Sequence, residues 1–458
     1  MEVEGSEMQG KVIVLLRTSS TARAPVYRHL REAGVVLVLV HPVRPATAFD
    51  GVFHHHLLHD TNDVAALQPA LKQFLAERAL IPDAVISFDE YAVYPAAVVA
   101  QSMGCRAIPL SPEKLRVTNV KSLFRERCAK EGIASPVATV LTRPPAGLHD
   151  LQEHIQRVLG TAGLTFPVVL KPCPGAGSLF TRLCNNVEEV RDQALTMWNV
   201  FKTHADVKHF EAVLGPAGVK EMQIVVEEYI GGQEIDVDCC VENGKIVFFS
   251  ISDNFEVRPP FFVEEGGLCP SSLPSYEQQE VRQLFEQVIA LYGEELHGVL
   301  HFEAKYDFQR RRAYVIEVNC RLGSAETNTM IRTCYRGLQL GESLVRCALG
   351  LPVTRQLLRH YPTEQAPVDG CYPHTCCCAS VNIYPVAEGV LLRAEVPVMD
   401  KSLVDYSVSA EPGALVAPPP KAFYLLSWMV ARGATASEAK AAIERLAANF
   451  VQEISVAQ

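Results

Sequence analysis

Residues 297–308, HGVLHFEAKYDF, and residues 313–323, AYVIEVNCRLG, alternate apolar and polar side chains on either side of the polar turn DFQRRR. A period of two puts alternate side chains on opposite faces of a strand, and two such runs with a short polar connection read as an antiparallel hairpin. Glu303 then lies on one strand and Glu317 and Asn319 on the other, all on one face, with Ile316, Val318 and Cys320 on the opposite one. Two carboxylates and an amide oxygen suit Mg²⁺, a hard cation that binds through one or two carboxylates plus substrate phosphates. Arg321 continues the alternation on the ligand face, where a guanidinium stabilises charge that builds up during phosphoryl transfer. A hairpin with a solvated charged face shows the same alternation, so the rest of the chain has to decide.

With 458 residues, 48% hydrophobic and 21% charged, the chain is long enough for two or three domains with their own cores. A formal net charge of −10 argues against nucleic-acid and anionic-membrane partners, which are held by excess lysine and arginine. Small molecules are the expected ligands. No run approaches the ~18 apolar residues of a membrane span, and MEVEGSEMQGK lacks the apolar core of a secretory leader. The 14 cysteines are scattered, with strand positions such as Cys239, Cys240 and Cys320, so reduced thiols in a soluble, cytoplasmic protein are expected. CYPHTCCC, residues 371–378 with His374, invites a zinc reading. Its three adjacent cysteines point to alternate faces of a strand, which argues against a shared ion.

Residues 11–110 read as βαβ units: KVIVLL, a helix over about 25–33, VVLVLV, a helix over 62–79, DAVISF, a helix over 91–103, and CRAIPL. This alternation implies an open, mostly parallel sheet. The first turn, RTSSTARAP, has no G-x-G-x-x-G, so dinucleotide binding is not supported. His54, His55, His56 and His59 are expected in a solvated loop. Residues 113–133 read as a helix stopped at Gly132, followed by the proline-rich connector ASPVATVLTRPPAG. A second break, PTEQAPVDG, precedes the last hundred residues, whose final helix starts near Ser437 and carries Ile443, Leu446, Phe450 and Ile454 on one stripe. No internal repeat is present.

Two further stretches bear on phosphate chemistry. FPVVLKPCPGAGS is a buried strand delivering Lys171 into a loop with Gly175, Gly177 and Ser178, where backbone N–H groups and a lysine approach phosphate, without the Walker A spacing. IVVEEYIGGQEIDVDCCVENGKIV runs a strand into Glu228, Tyr229 and Ile230, then a glycine pair and a second strand carrying Glu234. Backbone groups at such a strand end read an adenine edge, and a nearby carboxylate accepts from ribose hydroxyls. Plain hairpins explain either motif alone.

Taken in order, Lys121 on a helix, Lys171 before the glycine loop, EEYIGGQE, FEA and IEVNCR resemble the ATP-grasp superfamily of carboxylate–amine ligases, over nearly the whole chain. The resemblance implies an α/β fold, α+β in part. Its parts would be a Rossmann-like parallel-sheet domain over 1–115, an ATP-grasp domain over 116–358 with a mobile lid at about 165–235, and a C-terminal α+β domain over 359–458. It implies ATP with Mg²⁺, Mn²⁺ being a possible substitute. Lys121 and Lys171 would lie on the phosphates with Gly175, Gly177 and Ser178, the backbone of Glu228 and Ile230 on adenine, and Glu234 on ribose. Glu303, Glu317 and Asn319 would hold the metal, and Arg321, with Lys171, would be catalytic.

SDNFEVRPPFFVEEGGLCPSSLP, RLGSAETNTMIRTCYRGLQL and WMVARGATASEAKAAIERL are similar to the branch that contains carnosine synthase and bacterial L-amino-acid ligases. That similarity places Glu264 and Arg258 at an amino-acid pocket; Glu90, at the end of a sheet strand in SFDEYAVYP, is a third candidate substrate contact. The chain departs from the branch at Gly267, where some bacterial members carry histidine, and at Cys320, where many carry proline or alanine. The first departure bears on substrate identity, not on the phosphate chemistry. The implied reaction joins an amino acid to a small carboxylic or keto-acid-like partner through an acyl phosphate, releasing ADP and phosphate, in a protein compatible with a homodimer. Two alternatives stay open: a biotin-carboxylase-like or purine-pathway ATP-grasp enzyme, against which FFVEEGGLCP and the C-terminal region speak, and a non-catalytic ATP-binding scaffold, which would be expected to lose a metal ligand or Arg321.

Overall fold

In the computed structural model, Val12–Leu16 is a strand buried at every position, because it pairs in parallel on both edges and is covered on both faces. The model describes residues 7–144, 150–175, 177–200, 210–215, 222–257, 259–362, 367 and 370–456. The strand order is His55–Leu58, Val36–His41, Val12–Leu16, Ala84–Ile86. Ile13 and Leu15 pack with Tyr27 and Leu30 of the helix Ala24–Glu32, while Val14 and Leu16 pack with Leu67 and Leu71 of Val64–Ala76. Two expectations need correcting here. His55 and His56 lie in an edge strand rather than a loop, His55 half-buried and His56 exposed, with His54 Nδ1 accepting from Leu37 N–H. CRAIPL forms no strand: Pro109 has no N–H to give a ladder, and its carbonyl instead accepts from His297 N–H.

The helix expected over 113–133 is two, Pro112–Asn119 and Lys121–Glu131, separated by an extended Val120. The break puts Lys121 at the start of the second helix, where its N–H donates to Cys173 O at 3.0 Å. Gly132 ends that helix in the left-handed conformation at φ 70°.

Residues on either side of Lys171 form a four-stranded antiparallel sheet, Ala138–Leu141, Ile224–Glu228, Val168–Pro172, Arg182–Cys184, closed by the helices Leu151–Ala162 and Val187–Val200 around one apolar cluster. This unit begins well before residue 165.

The largest sheet has eight strands in the order Arg312–Asn319, Gly298–Asp307, Gln233–Glu242, Lys245–Asn254, Gly267–Cys269, Cys377–Ile383, Ser427–Gly433, Leu403–Val408. It runs on without interruption into strands beyond residue 359. Leu415–Val416, Gly389–Glu395 and Val451–Ser455 make a small separate sheet. The helix Ala436–Ala448 buries Ile443 and Leu446 as expected, but Ile454 belongs to a strand, paired with Leu391. Among the described residues no helix is long and apolar enough to cross a membrane.

The glutamate hairpin is the edge of the large sheet, with Glu303 directly opposite Glu317. Its core face is anchored by Phe302, which packs on Phe285 of the helix Ser275–Ala290 with ring centroids 4.2 Å apart. Burying such a side chain stabilises the fold by roughly 2–3 kcal/mol. The second strand departs from strict alternation. Ala313 and Val315 face the core, and so do Val318 and Cys320, because the register slips between Glu303 and Ala304 and leaves Ile316 unpaired. This bulge switches the phase of the strand. Without it Glu317 would share a face with Val315 and point into the core; with it Glu317 faces the cleft, and Ile316 joins the cleft wall instead of the apolar face.

Candidate active site

The cleft face of the hairpin and the lysines of two other elements line one cavity of about 730 Å³. Lys121, at the helix start set by the Val120 break, donates to Gly175 O at 2.8 Å and to Glu317 Oε1 at 2.9 Å. Burial works against its charge, but Glu317 and then Glu303 outweigh this and raise its pKa. Gly177 turns the loop with φ 60° and lines the cavity with Gly175 and Ser178. Gly232 (φ 88°) is needed for a close approach: a Cβ there would sit 2.0 Å from Tyr306 O of the hairpin.

Lys171 is held by a residue that sequence reading passed over. Glu227 is buried, 3.1 Å from Lys171 Nζ and 2.9 Å from Arg125 Nε. Burial alone would raise its pKa, yet Arg125 and Lys171 hold it down to about 2. Arg125 also donates to the carbonyl of the bulged Ile316, so one guanidinium links the Lys171 anchor to the residue that orients Glu317. In EEYIGG nothing distinguishes the buried first glutamate from the second except strand parity. Glu228 lies at the cavity with its carboxylate 2.6 Å from Arg310 Nη2, and its N–H is given to Val137 O. Ile230 and Glu234 complete that wall; Glu234 is 3.5 Å from Lys305 Nζ, which lies over the Tyr229 and Phe262 rings.

Glu303 is half-buried and faces Glu317, with Asp236 also near; lost hydration first, then these carboxylates, raise its pKa. Asn319 Nδ2 donates to Glu303 Oε1 at 3.2 Å from behind. Two crowded carboxylates with a carboxamide beside them are short of positive charge, so the donor set fits a divalent hard cation.

A second, larger cavity of about 2300 Å³ meets the first at Gly177, Glu234, Glu264 and Glu303. Arg321 reaches into it with Nε donating to Glu90 Oε2 at 2.6 Å. Glu90 sits in the first turn of the helix Glu90–Ser102, so that helix carries the partner of Arg321. Glu264 is exposed to the open cavity it lines, and crowding by the cavity wall, then Asp236 and Glu326, push its carboxyl up to about 7. His301 lies 3.2 Å from Asp238 and 3.9 Å from Asp236; burial opposes its charge, but Asp238 and Asp236 raise it to about 9. His301 and Lys305 flank Glu303 at the strand period, and Asp236 and Asp238 follow Glu234 in the same way, a pattern that could have marked them. Arg258 lies outside the described residues.

Residues 164–329 match the ATP-grasp domain family. Over 356 residues the chain is 26% identical to carnosine synthase 1 of Gallus gallus, covering 75% of this chain and 36% of that protein. Over 348 residues it is 24% identical to carnosine synthase 1 of Homo sapiens, covering 75% and 40%. The chain thus spans about two fifths of the length of these curated relatives. In three dimensions it is similar to an L-amino acid ligase from Bacillus licheniformis, with TM-score 0.77 at 15% identity, covering 98% of this chain and 100% of that one. It is also similar to phosphoribosylglycinamide synthetase from Anaerococcus prevotii, with TM-score 0.68 at 14% identity, covering 98% and 100%. Domain match, sequence similarity and fold agree that the chain carries an ATP-grasp domain at residues 164–329 within an ATP-grasp fold, and that it is similar to ligases built on that fold.

Proposed function

We propose that the chain is an ATP-dependent carboxylate–amine ligase that joins an amino acid to a second small acid or amine through an acyl phosphate. The observation that carries this reading is the convergence of Lys121, Lys171, Glu303 and Glu317 on one cavity, which opens at Glu303 into a second cavity bearing Arg321. In this reading Lys121 and Lys171, with the glycine-loop backbone, take the ATP phosphates, and the 228–230 backbone and Glu234 take adenine and ribose. Glu303, Glu317 and Asn319 would hold Mg²⁺, which when bound neutralises phosphate charge.

The substrate carboxylate oxygen attacks the γ-phosphorus and the bond to the ADP oxygen breaks. The amine nitrogen then attacks the acyl carbon, the bond from that carbon to the phosphate oxygen breaks, and the amine loses a proton. Arg321 stabilises charge on the transferring and leaving phosphate. No covalent protein nucleophile is needed.

The larger cavity is acidic, with Asp236, Glu264 and Glu326 in its wall, which suits an ammonium group. Arg23 Nη1, buried on the same wall, has no hydrogen-bond partner among the described residues and suits a carboxylate. Together they favour a zwitterionic amino acid, and the sequence similarity to carnosine synthases points the same way. Phosphate release with Mg²⁺-ATP across a grid of α-amino acids, β-amino acids and amine metabolites tests this. Release that requires an acid and an amine together supports the reading; release driven by bicarbonate alone overturns it.

A further inference from the structure

Cys376, just ahead of the strand Cys377–Ile383, and Cys378 within it pack into the same cluster, while Cys377 between them packs into the cluster on the other side with Leu268. The alternation expected from CYPHTCCC therefore holds. It does not scatter the thiols, because the helix Ala325–Cys334 brings a third sulfur into that same cluster. The Sγ atoms of Cys334, Cys376 and Cys378 all lie within 4.8 Å of one another. Cys269 is the direct cross-strand partner of Cys378, and its carbonyl accepts from the Cys334 thiol at 3.4 Å.

The surrounding backbone is tied down. Thr375 donates to Cys334 O through both its N–H, at 2.9 Å, and its hydroxyl, at 3.2 Å, and the Cys376 thiol points to Thr333 O. From this we infer that Cys334, Cys376 and Cys378, with Cys269 in reach as a fourth sulfur, form a binding site for a thiophilic d¹⁰ cation, zinc or copper(I). A Zn–S bond of about 2.3 Å in tetrahedral geometry sets sulfurs ~3.8 Å apart, so drawing the sulfurs of Cys334, Cys376 and Cys378 together from 4.8 Å needs at most about 1 Å of side-chain movement. Simple packing of buried thiols as small apolar groups needs no convergence of sulfur atoms. Cys334 and Cys378 are buried and Cys376 is half-buried, which leaves one ligand at the surface to admit an ion.

The helix that ends in Cys334 begins beside Ser324, and its Glu326, Thr327 and Met330 line the larger cavity. An ion at its C-terminal end would fasten that cavity wall to the strand Cys377–Ile383. The inference does not depend on the substrates of the adjoining site.

The full chain, reduced and stripped with chelator, would be titrated with Zn²⁺ against a chromophoric chelator and, in a separate anaerobic arm, with copper(I) against a competing ligand. Co²⁺ would serve as a spectroscopic probe. One equivalent of one of the two ions per chain is expected, with a thiolate-to-cobalt charge-transfer band and a raised melting temperature. Cys376→Ser and Cys334→Ser should abolish uptake and the band, and Cys377→Ser should keep both. Should Cys334→Ser fail to fold, the half-buried Cys376→Ser decides. Uptake of neither ion, equal loss in Cys377→Ser, or a thiol count showing a disulfide within the cluster would overturn the site.

Discussion

Replacing Glu227 with glutamine should both weaken the fold and loosen Lys171. The carboxylate is buried between Arg125 and Lys171, whose side chains are only 4% and 12% exposed, so the substitution leaves two buried cations without their counter-charge. Breaking a buried pair by removing one partner costs about 3–5 kcal/mol. The pKa gives a second route. A carboxyl held at about 2 against an ordinary 4.5 corresponds to roughly 3 kcal/mol, in the same range. Unfolding entropy near ~2.1 cal/mol/K per residue amounts to ~1 kcal/mol/K for a chain of this length, so the melting temperature should fall by about 3–5 °C. The sign with pH follows from the depressed pKa. The contribution is present above 4.5 and is lost as pH falls from 4.5 through 2, so the gap between wild type and Glu227→Gln should close over that window. Differential scanning calorimetry across pH, with ATP affinity by calorimetric titration, reads both effects. A variant that melts within about 1 °C of wild type at neutral pH and binds ATP unchanged would refute the charge anchor.

Glu317→Gln should abolish turnover in a folded protein, because an amide cannot supply the anionic ligand Mg²⁺ wants and the partner of Lys121 at 2.9 Å loses its charge; wild-type activity would sink the metal assignment. Arg321→Met should still bind ATP while kcat falls by about 10²-fold or more. Glu90→Gln, which keeps an acceptor oxygen for that arginine and removes only the counter-charge of its 2.6 Å partner, should cost less, and an ATP KM effect alone in Arg321→Met would make Arg321 a binding residue. With Glu264 raised to about 7, the ionised fraction that would hold the ammonium of a bound amino acid grows as pH rises, so the affinity for that amino acid should tighten as pH rises through 7. Glu264→Gln should lose that tightening, and an unchanged profile in this variant would remove Glu264 from the ammonium site.

Much of the fold was legible because its informative units are local. Strands and helices alternate over 11–110, Lys171 runs into a glycine loop, and Glu303 and Glu317 lie on two periodic strands. What stayed hidden depends on partners distant in sequence or on a change of phase. A period of two cannot show that Ile316 is an inserted residue, yet this bulge is what turns Glu317 into the cleft. Helical spacing over 113–133 runs smoothly through Val120, and only the pairing of Lys121 N–H with Cys173 O shows why the helix breaks there. Glu227 and Glu228 look alike in sequence, and Arg125, about a hundred residues away, selects the first as the anchor. The thiols of CYPHTCCC do alternate, and the third sulfur came from a helix that the strand pattern could not reveal.

In the proposed reaction the cavity activates a carboxylate at the γ-phosphate. Chromatography of the spent nucleotide, from a reaction with a productive acid and amine pair, tests it most directly. The clustering of Lys121, Lys171, Glu303 and Glu317 at one cavity beside Arg321 predicts ADP and inorganic phosphate, in a one-to-one ratio with the amide formed. Stoichiometric AMP and pyrophosphate would mean attack at the α-phosphate and would contradict the mechanism and the roles assigned to these residues together.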